Sequence, residues 1–172
     1  DKYVIEAMKP VTTEPIAVDW QGGRLANKTI DVTVARREWK STFVPGADGV
    51  GGRWESQVDD TVIKTETVST DANGEARVGF TAPQAGTYKI SARTRDGAGR
   101  AATAARFVWA TGNDYVAWLR EDNDRINLIA NKNTFEQGET AEILIPSPFV
   151  DANNPAHYAL VTVERGHILT HE

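Results

Sequence analysis

The sequence predicts an all-β protein built as an antiparallel β-sandwich. Apolar and polar residues alternate with a period of two in most segments, as half-buried strands require. Residues that favour turns separate these segments at intervals of roughly 8–12 residues, which is typical of sandwiches and barrels. No window longer than about two turns has a helical period, and a fold with helical crossovers would need such windows between its strands.

The alternation is clearest at residues 30–34, where isoleucine and valine alternate with Asp31 and Thr33. The same pattern predicts strands at residues 15–20, 61–69, 76–80, 88–93, 101–109, 125–131, 140–146 and 158–166. Turns are predicted at residues 21–23, 71–74, 84–86, 96–99 and 136–138. The glycine-rich stretch 44–52 lacks the Lys-Ser/Thr pair of a phosphate-binding loop, so we interpret it as a flexible loop between two strands.

The pattern divides the chain into two units. Residues 1–112 suit one complete immunoglobulin-like sandwich of seven strands. Residues 113–124 form a polar connector, and residues 125–172 suit only the N-terminal half of a second, truncated β domain. Because an open half-sandwich exposes an apolar face and unpaired edges, we expect the native chain to continue beyond Glu172, or another segment to supply the missing strands. We interpret Asp1 as the start of a processed form or of an excised piece.

Composition and charge limit the possible classes of function. Of the 172 residues, 40% are hydrophobic and 25% are charged, which are ordinary values for a globular protein. The formal net charge of −5 argues against nucleic acid as a partner. The sequence has no cysteine, which excludes thiol chemistry and cysteine-ligated metal. No apolar run approaches the ~18 residues of a membrane span, so we expect no direct membrane insertion.

Few residues are candidates for metal binding. His167 and His171 are four apart, but in a strand this spacing separates them by about 13 Å, too far to share one metal. We therefore interpret both, together with His157, as surface or edge residues.

Two acidic pairs are the better candidates for a hard cation, Asp59 with Asp60 and Asp122 with Asp124. The second pair has the opening spacing of an EF-hand loop, but the glycine and glutamate expected later in that loop are absent. A weak cation site at Asp122/Asp124 stays open, beside the alternative of an exposed connector whose acids cap turns.

No set of nucleophile, base and acid can be assembled from the sequence. The first unit has no histidine for a Ser-His-Asp triad, and the chain has no Gly-x-Ser-x-Gly elbow. Paired carboxylates of the glycosidase kind stay open, although nothing singles out a pair. We assign no catalytic, cofactor-binding or metal-ligating residue, and we predict that the chain is not an enzyme and needs no cofactor.

The chain has five tryptophans, all in the first unit or the connector. Trp20 and Trp109 lie in apolar strand contexts and are predicted to be core residues. Trp39 and Trp54 flank the glycine-rich stretch and are expected to pack on each other across a hairpin. Trp118 is expected to seal the interface between the two units. An exposed row of tryptophans would instead indicate a carbohydrate-binding surface.

Three short motifs follow one another in the second unit. They are Lys132-x-x-Phe135-x-x-Gly138-Glu139-Thr140-Ala141, Pro146-Ser147-Pro148-Phe149 and Ala159-Leu160-Val161-Thr162-Val163-Glu164-Arg165. In this order and spacing they resemble the bacterial alpha-2-macroglobulin family. In the first unit, Ala17-Val18-Asp19-Trp20 and residues 35–40 are similar to the preceding macroglobulin-type domain, so the resemblance covers essentially the whole chain.

The resemblance implies a macroglobulin-type sandwich within a large, broad-spectrum endopeptidase inhibitor made of serial macroglobulin domains. In such inhibitors a protease cuts a bait region, and a Cys-Glu-Gln thioester can then trap the protease. Neither part maps onto this chain, so the resemblance implies a non-catalytic scaffold role for it. The implied partners are proteases, trapped by the full-length protein, and neighbouring macroglobulin-like domains of the same chain. The implied location is the periplasm or cell envelope, with a lipid anchor on the full-length protein.

An alternative from another class is a cell-surface immunoglobulin-like adhesive or carbohydrate-binding module. This alternative depends on the five tryptophans and on the Thr-Asp-Ala-x-Gly turn pattern at residues 70–74. The exposure of the tryptophan side chains distinguishes the two hypotheses.

Overall fold

The computed structural model describes residues 3–47, 49–121, 125–148, 160–164 and 168–171. Every regular element in these ranges is a strand. The first seven strands are β1 (Val4–Glu6), β2 (Pro10–Thr13), β3 (Thr29–Pro45), β4 (Gly52–Ser69), β5 (Val78–Thr81), β6 (Gly86–Arg95) and β7 (Ala101–Thr111). Four short strands follow, β8 (Ile129–Ala130), β9 (Ile143–Leu144), β10 (Thr162–Glu164) and β11 (Ile168–His171). A search of the described residues finds no helix of the length and apolarity that a membrane crossing requires.

Strands β1–β7 form a sandwich of two sheets. One sheet has five strands in the order β1-β7-β6-β3-β4, and the other pairs β2 with β5. The prediction of an all-β sandwich is therefore confirmed. One pairing departs from the antiparallel expectation, because β1 runs parallel to β7. Parallel pairing is possible here since no hairpin joins these two strands, which are the first and last of the sandwich.

The core lies between the two sheets and is built from the alternate residues that the period of two places on one face. Val32 and Val34 of β3 have at most 1% of their surface exposed, and they face Val78 and Phe80 of the smaller sheet. The polar residues between them point to the other face of the sheet, as the pleat requires. Hydrophobic burial between the sheets is the main source of stability for such a sandwich.

Tyr88 is fully buried near the start of β6, and its hydroxyl donates a 2.8 Å hydrogen bond to the backbone carbonyl of Gln84. A buried tyrosine that bonds back to the preceding corner is a recurrent feature of immunoglobulin-like sandwiches. Burial raises the pKa of the Tyr88 phenol above its ordinary value. The hydrogen bond joins the β5–β6 corner to the centre of the larger sheet.

The predicted turn at residues 71–74 is confirmed, with a clear local cause. The Asp71 carboxylate accepts hydrogen bonds from the backbone N–H groups of Asn73 and Glu75 at 2.8 and 3.0 Å. Gly74 has a φ of +72°, and a Cβ at this position would lie 3.0 Å from the Leu25 nitrogen. The left-handed φ and the close backbone together require glycine.

The outer part of the β3–β4 hairpin extends beyond the sandwich. β6 pairs with β3 only from Asp31 to Arg37, whereas β3 and β4 stay paired as far as Pro45 and Gly52. We call residues 38–59 the arm. The glycine-rich stretch lies at its tip, so the predicted connection between two strands is confirmed, but the bounds 44–52 are wrong, because Val44 and Pro45 belong to β3 and Gly52 begins β4. An isolated two-stranded hairpin is marginal in water, so the arm needs support from another element.

Several predicted strand boundaries are wrong. Residues 15–20 form only isolated bridges, from Ile16 to Glu75 and from Val18 to Arg24. The Asp19 carboxylate accepts hydrogen bonds from two backbone N–H groups that follow it, which turns the chain away from a strand. The strand β2 was not predicted, and β4 begins at Gly52 rather than at residue 61.

In the second unit the predicted strands are shortened. The predictions at residues 125–131 and 140–146 reduce to β8 and β9. Of residues 158–166, the strand β10 is observed, and residues 158–159 and 165–166 lie outside the described ranges. Among the residues that the structure describes, β8 pairs with β9 alone, and each strand has two residues. Few residues of either predicted strand therefore form the hydrogen bonds of a sheet.

Candidate interdomain site

A groove of about 750 Å³ lies between the arm and the segment that follows the sandwich. Its aromatic residues are Trp39, Phe43, Trp54, Trp109 and Trp118. The connector contributes Leu119 and Arg120, and the second unit contributes Ile126, Ile129, Pro146 and Pro148. We call this feature the aromatic groove.

The strand register explains why the aromatic residues of the arm share one face. Phe43 is directly opposite Trp54, and Trp39 is opposite Val58, so all four side chains lie on the same side of the arm. This side continues the outer face of the five-stranded sheet, away from the sandwich core. The opposite side carries polar residues, including Lys40, which bonds to Asp59 at 3.0 Å. The arm is therefore amphipathic, and its apolar side faces the connector.

Trp54 is the centre of the contact between the arm and the connector. Its ring packs against Phe43 with a centroid separation of 5.4 Å and an angle of 55°. The guanidinium carbon of Arg120 lies 3.9 Å from the centroid of the Trp54 ring, which is a close cation–π contact. The Ser56 hydroxyl donates a 3.3 Å hydrogen bond to the Arg120 carbonyl. Side-chain and backbone contacts thus fix the connector on the same stretch of β4.

A bidentate ion pair lies at the base of the arm. The Arg37 guanidinium donates two 2.7 Å hydrogen bonds to the Asp60 carboxylate, and its carbon lies 5.1 Å from the centroid of the Phe107 ring. The hydrogen bond from Arg37 holds the pKa of Asp60 below its ordinary value. This pair joins the two strands where the arm leaves the sandwich.

The second unit contacts the sandwich at another point, at Tyr3, the residue directly before strand β1. The Tyr3 N–H donates a 3.1 Å hydrogen bond to the Asn131 carbonyl, and the Asn133 side chain donates a 2.8 Å hydrogen bond to the Tyr3 hydroxyl. The Tyr3 carbonyl in turn accepts from the Trp109 N–H at 2.8 Å. Tyr3 is therefore hydrogen-bonded both to the second unit and to strand β7 of the sandwich.

The tryptophan predictions have mixed outcomes. Trp20 is 92% exposed, so its assignment to the core is wrong, because the Asp19 turn directs it out of the sandwich. Trp109 is half-buried on the groove side of the sheet rather than in the core. Trp39 and Trp54 share the groove, but the ring contact of Trp54 is with Phe43, its register partner. Trp118 lines the groove between connector, sandwich and second unit, as expected for a residue at their interface.

The acidic candidates do not form a cation site in the described part of the chain. Asp59 and Asp60 are bound by Lys40 and Arg37, which already supply positive charge. Within the described residues no group of three or more metal-binding side chains is found. Asp122 and Asp124 lie outside the described ranges, as do His157 and His167, and the side chain of His171 is not described.

A second cleft, of about 920 Å³, lies beside β1 and β2 and contains four glutamates. Three of them form ion pairs, Glu6 with Lys9, Glu14 with Arg77 and Glu75 with Arg24. The side-chain carboxylate of Glu142 accepts a 3.2 Å hydrogen bond from the side-chain amide of Asn131. Each of these carboxylates therefore has a partner in the folded chain, and the cleft shows no free pair suited to glycoside hydrolysis.

Comparisons with known proteins agree with this architecture. A family model described as bacterial macroglobulin domain 6 matches residues 1–111. An alpha-2-macroglobulin homolog of a Nostoc species is 28% identical over 152 residues, which is 87% of this chain and 8% of the relative. The chain thus spans about one twelfth of the length of that curated relative.

Two solved structures show the same fold. Salmonella alpha-2-macroglobulin reacted with methylamine superposes with a TM-score of 0.52 at 16% identity, covering 86% of this chain and 9% of that one. The native conformation of Escherichia coli alpha-2-macroglobulin gives a TM-score of 0.51 at 18% identity, covering 84% and 9%. The macroglobulin-type fold predicted from the sequence is confirmed, and the chain belongs to the bacterial alpha-2-macroglobulin family.

Proposed function

We propose that the chain is a non-catalytic scaffold segment of an alpha-2-macroglobulin-like endopeptidase inhibitor. The observation that carries this proposal is the aromatic groove, in which arm, connector and second unit meet through apolar and cation–π contacts. Among the described residues that line it, the only hydroxyl is that of Thr87 and the only carboxylate is that of Glu121, and no histidine, cysteine or lysine lies beside them. Such contacts hold parts of a chain in a fixed arrangement and offer no proton transfer.

Two separated contacts support a positional role. The aromatic groove holds the connector on the arm, and Tyr3 holds the second unit on the edge of the sandwich. A single contact leaves a neighbouring unit free to rotate about it, whereas two contacts restrict this rotation. A segment of this kind transmits a change in the position of one unit to the other.

The inhibitory activity itself is assigned to a longer polypeptide. The chain covers 8% of its Nostoc relative and 9% of the two solved alpha-2-macroglobulins. In this proposal the partners of the longer protein are the proteases that it traps, and the partners of this segment are neighbouring macroglobulin-like domains. The proposed location is the periplasm or cell envelope, where such an inhibitor meets proteases from outside.

The experiment compares the isolated chain with the longer parent protein in one protease assay. Each is incubated with a trypsin-like and a subtilisin-like protease, and hydrolysis of a protein substrate and of a small peptide substrate is followed. We expect the parent to protect the protein substrate from hydrolysis. We expect the isolated chain to protect neither the protein substrate nor the small peptide substrate. Stoichiometric inhibition by the isolated chain would contradict the scaffold role, and electrophoresis checks whether the chain is merely consumed as a substrate.

The carbohydrate-binding alternative is not favoured by the exposure of the tryptophans. The four in the groove are half-buried against connector and second unit, and Trp20 is an isolated exposed residue. A sugar-binding platform needs exposed aromatic faces in a row. A shift of indole emission on addition of a glycan panel would restore this alternative.

A further inference from the structure

Two turns of the sandwich have the same hydrogen-bonding pattern. In the turn that begins at Asp71, the aspartate carboxylate accepts from the backbone N–H groups two and four residues later, at 2.8 and 3.0 Å. In the turn that begins at Asp96, both corresponding distances are 2.9 Å. We call these two carboxylate bonds the clamp of each turn. The fourth residue of each turn, Gly74 or Gly99, donates a 3.0 Å hydrogen bond to the aspartate carbonyl and closes the turn.

The two turns differ at the residue before this glycine. It is Asn73 in the first turn and Ala98 in the second, and both residues are exposed. The backbone nitrogen after an asparagine can attack the side-chain amide, and a glycine at that position obstructs the attack least because it has no Cβ. Of the nine asparagines in the sequence, Asn73 is the one that precedes a glycine. The first turn therefore contains a chemically reactive pair, and the second turn has the same bonds without it.

We propose that Asn73 is a site of deamidation by water, and that the clamp of Asp71 restrains this reaction in the folded chain. The Gly74 nitrogen gives its proton to the solvent and attacks the side-chain carbonyl carbon of Asn73. A carbon–nitrogen bond forms, the side-chain nitrogen takes up a proton and leaves as ammonia, and a five-membered cyclic imide remains. Water then adds to one of the two imide carbonyls and breaks its bond to nitrogen, which gives aspartate or isoaspartate.

The folded turn holds the attacking nitrogen away from the side chain of Asn73. The turn has a negative φ at Asn73 and is closed by the bond from Gly74, which is the geometry of a type I turn with a ψ of about 0° at its third residue. Closing the imide ring requires ψ of Asn73 to rotate until the Gly74 nitrogen lies beside the side chain. This rotation breaks the bond that closes the turn, and it moves Glu75, whose N–H is bonded to the Asp71 carboxylate. Deamidation therefore requires a local opening of the turn.

Packing of Gly74 adds to the restraint. Gly74 is buried, its carbonyl accepts a 2.9 Å hydrogen bond from the Ala17 N–H, and a Cβ at this position would lie 3.0 Å from the Leu25 nitrogen. Gly99 is exposed, and a Cβ there would have nothing within 4 Å. The second turn thus has the clamp without the packing. An asparagine placed before Gly99 should therefore deamidate faster than Asn73.

The reaction would alter the corner that attaches residues 15–18 to the sandwich. Ile16 forms a bridge with Glu75, and the Ala76 N–H donates to the Pro15 carbonyl at 3.0 Å. Either product adds a negative charge beside Asp71 and Glu75, and like charges repel. Isoaspartate also lengthens the main chain by one carbon atom. This modification does not depend on the proposed scaffold role.

The test follows each asparagine by mass spectrometry. The chain is incubated in mildly alkaline buffer, either folded or unfolded in guanidinium chloride, and is then digested with pepsin at acidic pH. Asp71→Ala removes the clamp, and Asp71→Asn keeps an acceptor oxygen but removes the charge. Asp96→Ala removes the same two bonds from the second turn and is the matched control. Ala98→Asn places the reactive pair in the second turn.

In the unfolded chain we expect Asn73 to deamidate faster than the other asparagines, and folding to slow it by about tenfold or more. In folded protein, Asp71→Ala should accelerate the reaction at Asn73 by about fivefold or more, because two hydrogen bonds no longer oppose opening. Asp71→Asn and Asp96→Ala should leave the rate at Asn73 within about twofold of the original chain. The asparagine introduced by Ala98→Asn should react faster than Asn73.

Thermal unfolding checks that each variant is folded during the incubation. If Asp71→Ala is unfolded, the comparison of Asn73 with the asparagine introduced by Ala98→Asn decides, and equal rates at the two positions would overturn the proposal. A rate at Asn73 in the unfolded chain no higher than at the other asparagines would overturn it as well. So would equal rates in folded Asp71→Ala and the original chain. Equal acceleration by Asp71→Asn or by Asp96→Ala would assign the effect to charge or to general stability, against the clamp.

Discussion

The guanidinium carbon of Arg120 lies 3.9 Å from the centroid of the Trp54 ring, and Trp54 itself packs on Phe43. Arg120 belongs to the connector, whereas both aromatic residues belong to the arm. The arm is the part of the sheet that extends furthest from the core, so this contact supports a hairpin that is marginal without it. The same contact attaches the connector to the sandwich.

Replacing Arg120 with alanine should loosen the connector. A partly exposed cation–π contact contributes about 0.5–1 kcal/mol, which corresponds to a change of roughly two- to fivefold in the docking equilibrium. We expect amide hydrogen exchange at residues 117–121 to accelerate by about this factor, and indole emission to move to longer wavelength. Arg77→Ala, which removes an exposed ion pair with Glu14 away from the groove, is the control. Unchanged exchange in Arg120→Ala would show that the stacking does not hold the connector.

Tyr88→Phe tests the corner between β5 and β6. The substitution removes the hydroxyl that bonds the Gln84 carbonyl and leaves the buried ring in place. We expect a loss of about 1 kcal/mol in the free energy of unfolding, measured by urea denaturation. Tyr115→Phe is the matched control, because Tyr115 is 53% exposed, and it should have the stability of the original chain. Equal stability of the two variants would contradict the role assigned to this hydrogen bond.

The Arg37–Asp60 pair predicts a pH dependence of stability. Because the pKa of Asp60 is lowered in the folded state, the pair stabilises the fold above the unfolded pKa of about 3.9, and this contribution is lost as the pH falls through the folded pKa. The Asp60→Asn variant lacks this stabilising contribution at every pH. The variant should therefore be about 0.5–1 kcal/mol less stable at pH 7, and the difference should shrink below about pH 4. A difference that is constant from pH 7 to pH 3 would contradict this assignment.

The fluorescence of Trp20 should reflect exposure of its indole to solvent, and replacing Trp20 should leave the stability of the fold nearly unchanged. Its side chain is 92% exposed, whereas the other four tryptophans are half-buried in the groove. We expect Trp20→Phe to remove the component of indole fluorescence that acrylamide quenches most strongly, with a change in stability within about 0.5 kcal/mol. If the quenching profile of Trp20→Phe matched that of the original chain, the exposed indole would have to be a different one.

The sandwich could be predicted from the sequence because its core strands alternate strictly. Val32 and Val34 are buried where the period of two places them, and the turn at Asp71 uses its own side chain to bond the backbone. The failure at residues 15–20 has a local cause, since apolar residues there alternate like a strand while Asp19 bonds the following N–H groups. The available signal was Asp19 itself, because an aspartate can accept hydrogen bonds from the backbone N–H groups two and four residues later and so favours a turn over a strand.

The aromatic groove could be predicted only in part. The sequence indicates that Trp118 lies at an interface, but not that Phe43 is the partner of Trp54, because this follows from the register of a long hairpin. The register in turn depends on the position of one irregularity opposite Val34 and Ala35. A shift of one residue moves every side chain to the other face, so the groove could not be assembled without the structure.

The most direct test of the scaffold role uses the longer parent protein with single substitutions in this segment. Trp54→Ala removes the centre of the aromatic groove, and Trp20→Ala removes an exposed tryptophan with no place in it. The measurement is the molar amount of parent protein needed to protect a protein substrate from a protease. We predict that Trp54→Ala raises this amount several-fold and that Trp20→Ala leaves it unchanged. Equal protection by both variants and the original protein would contradict the account.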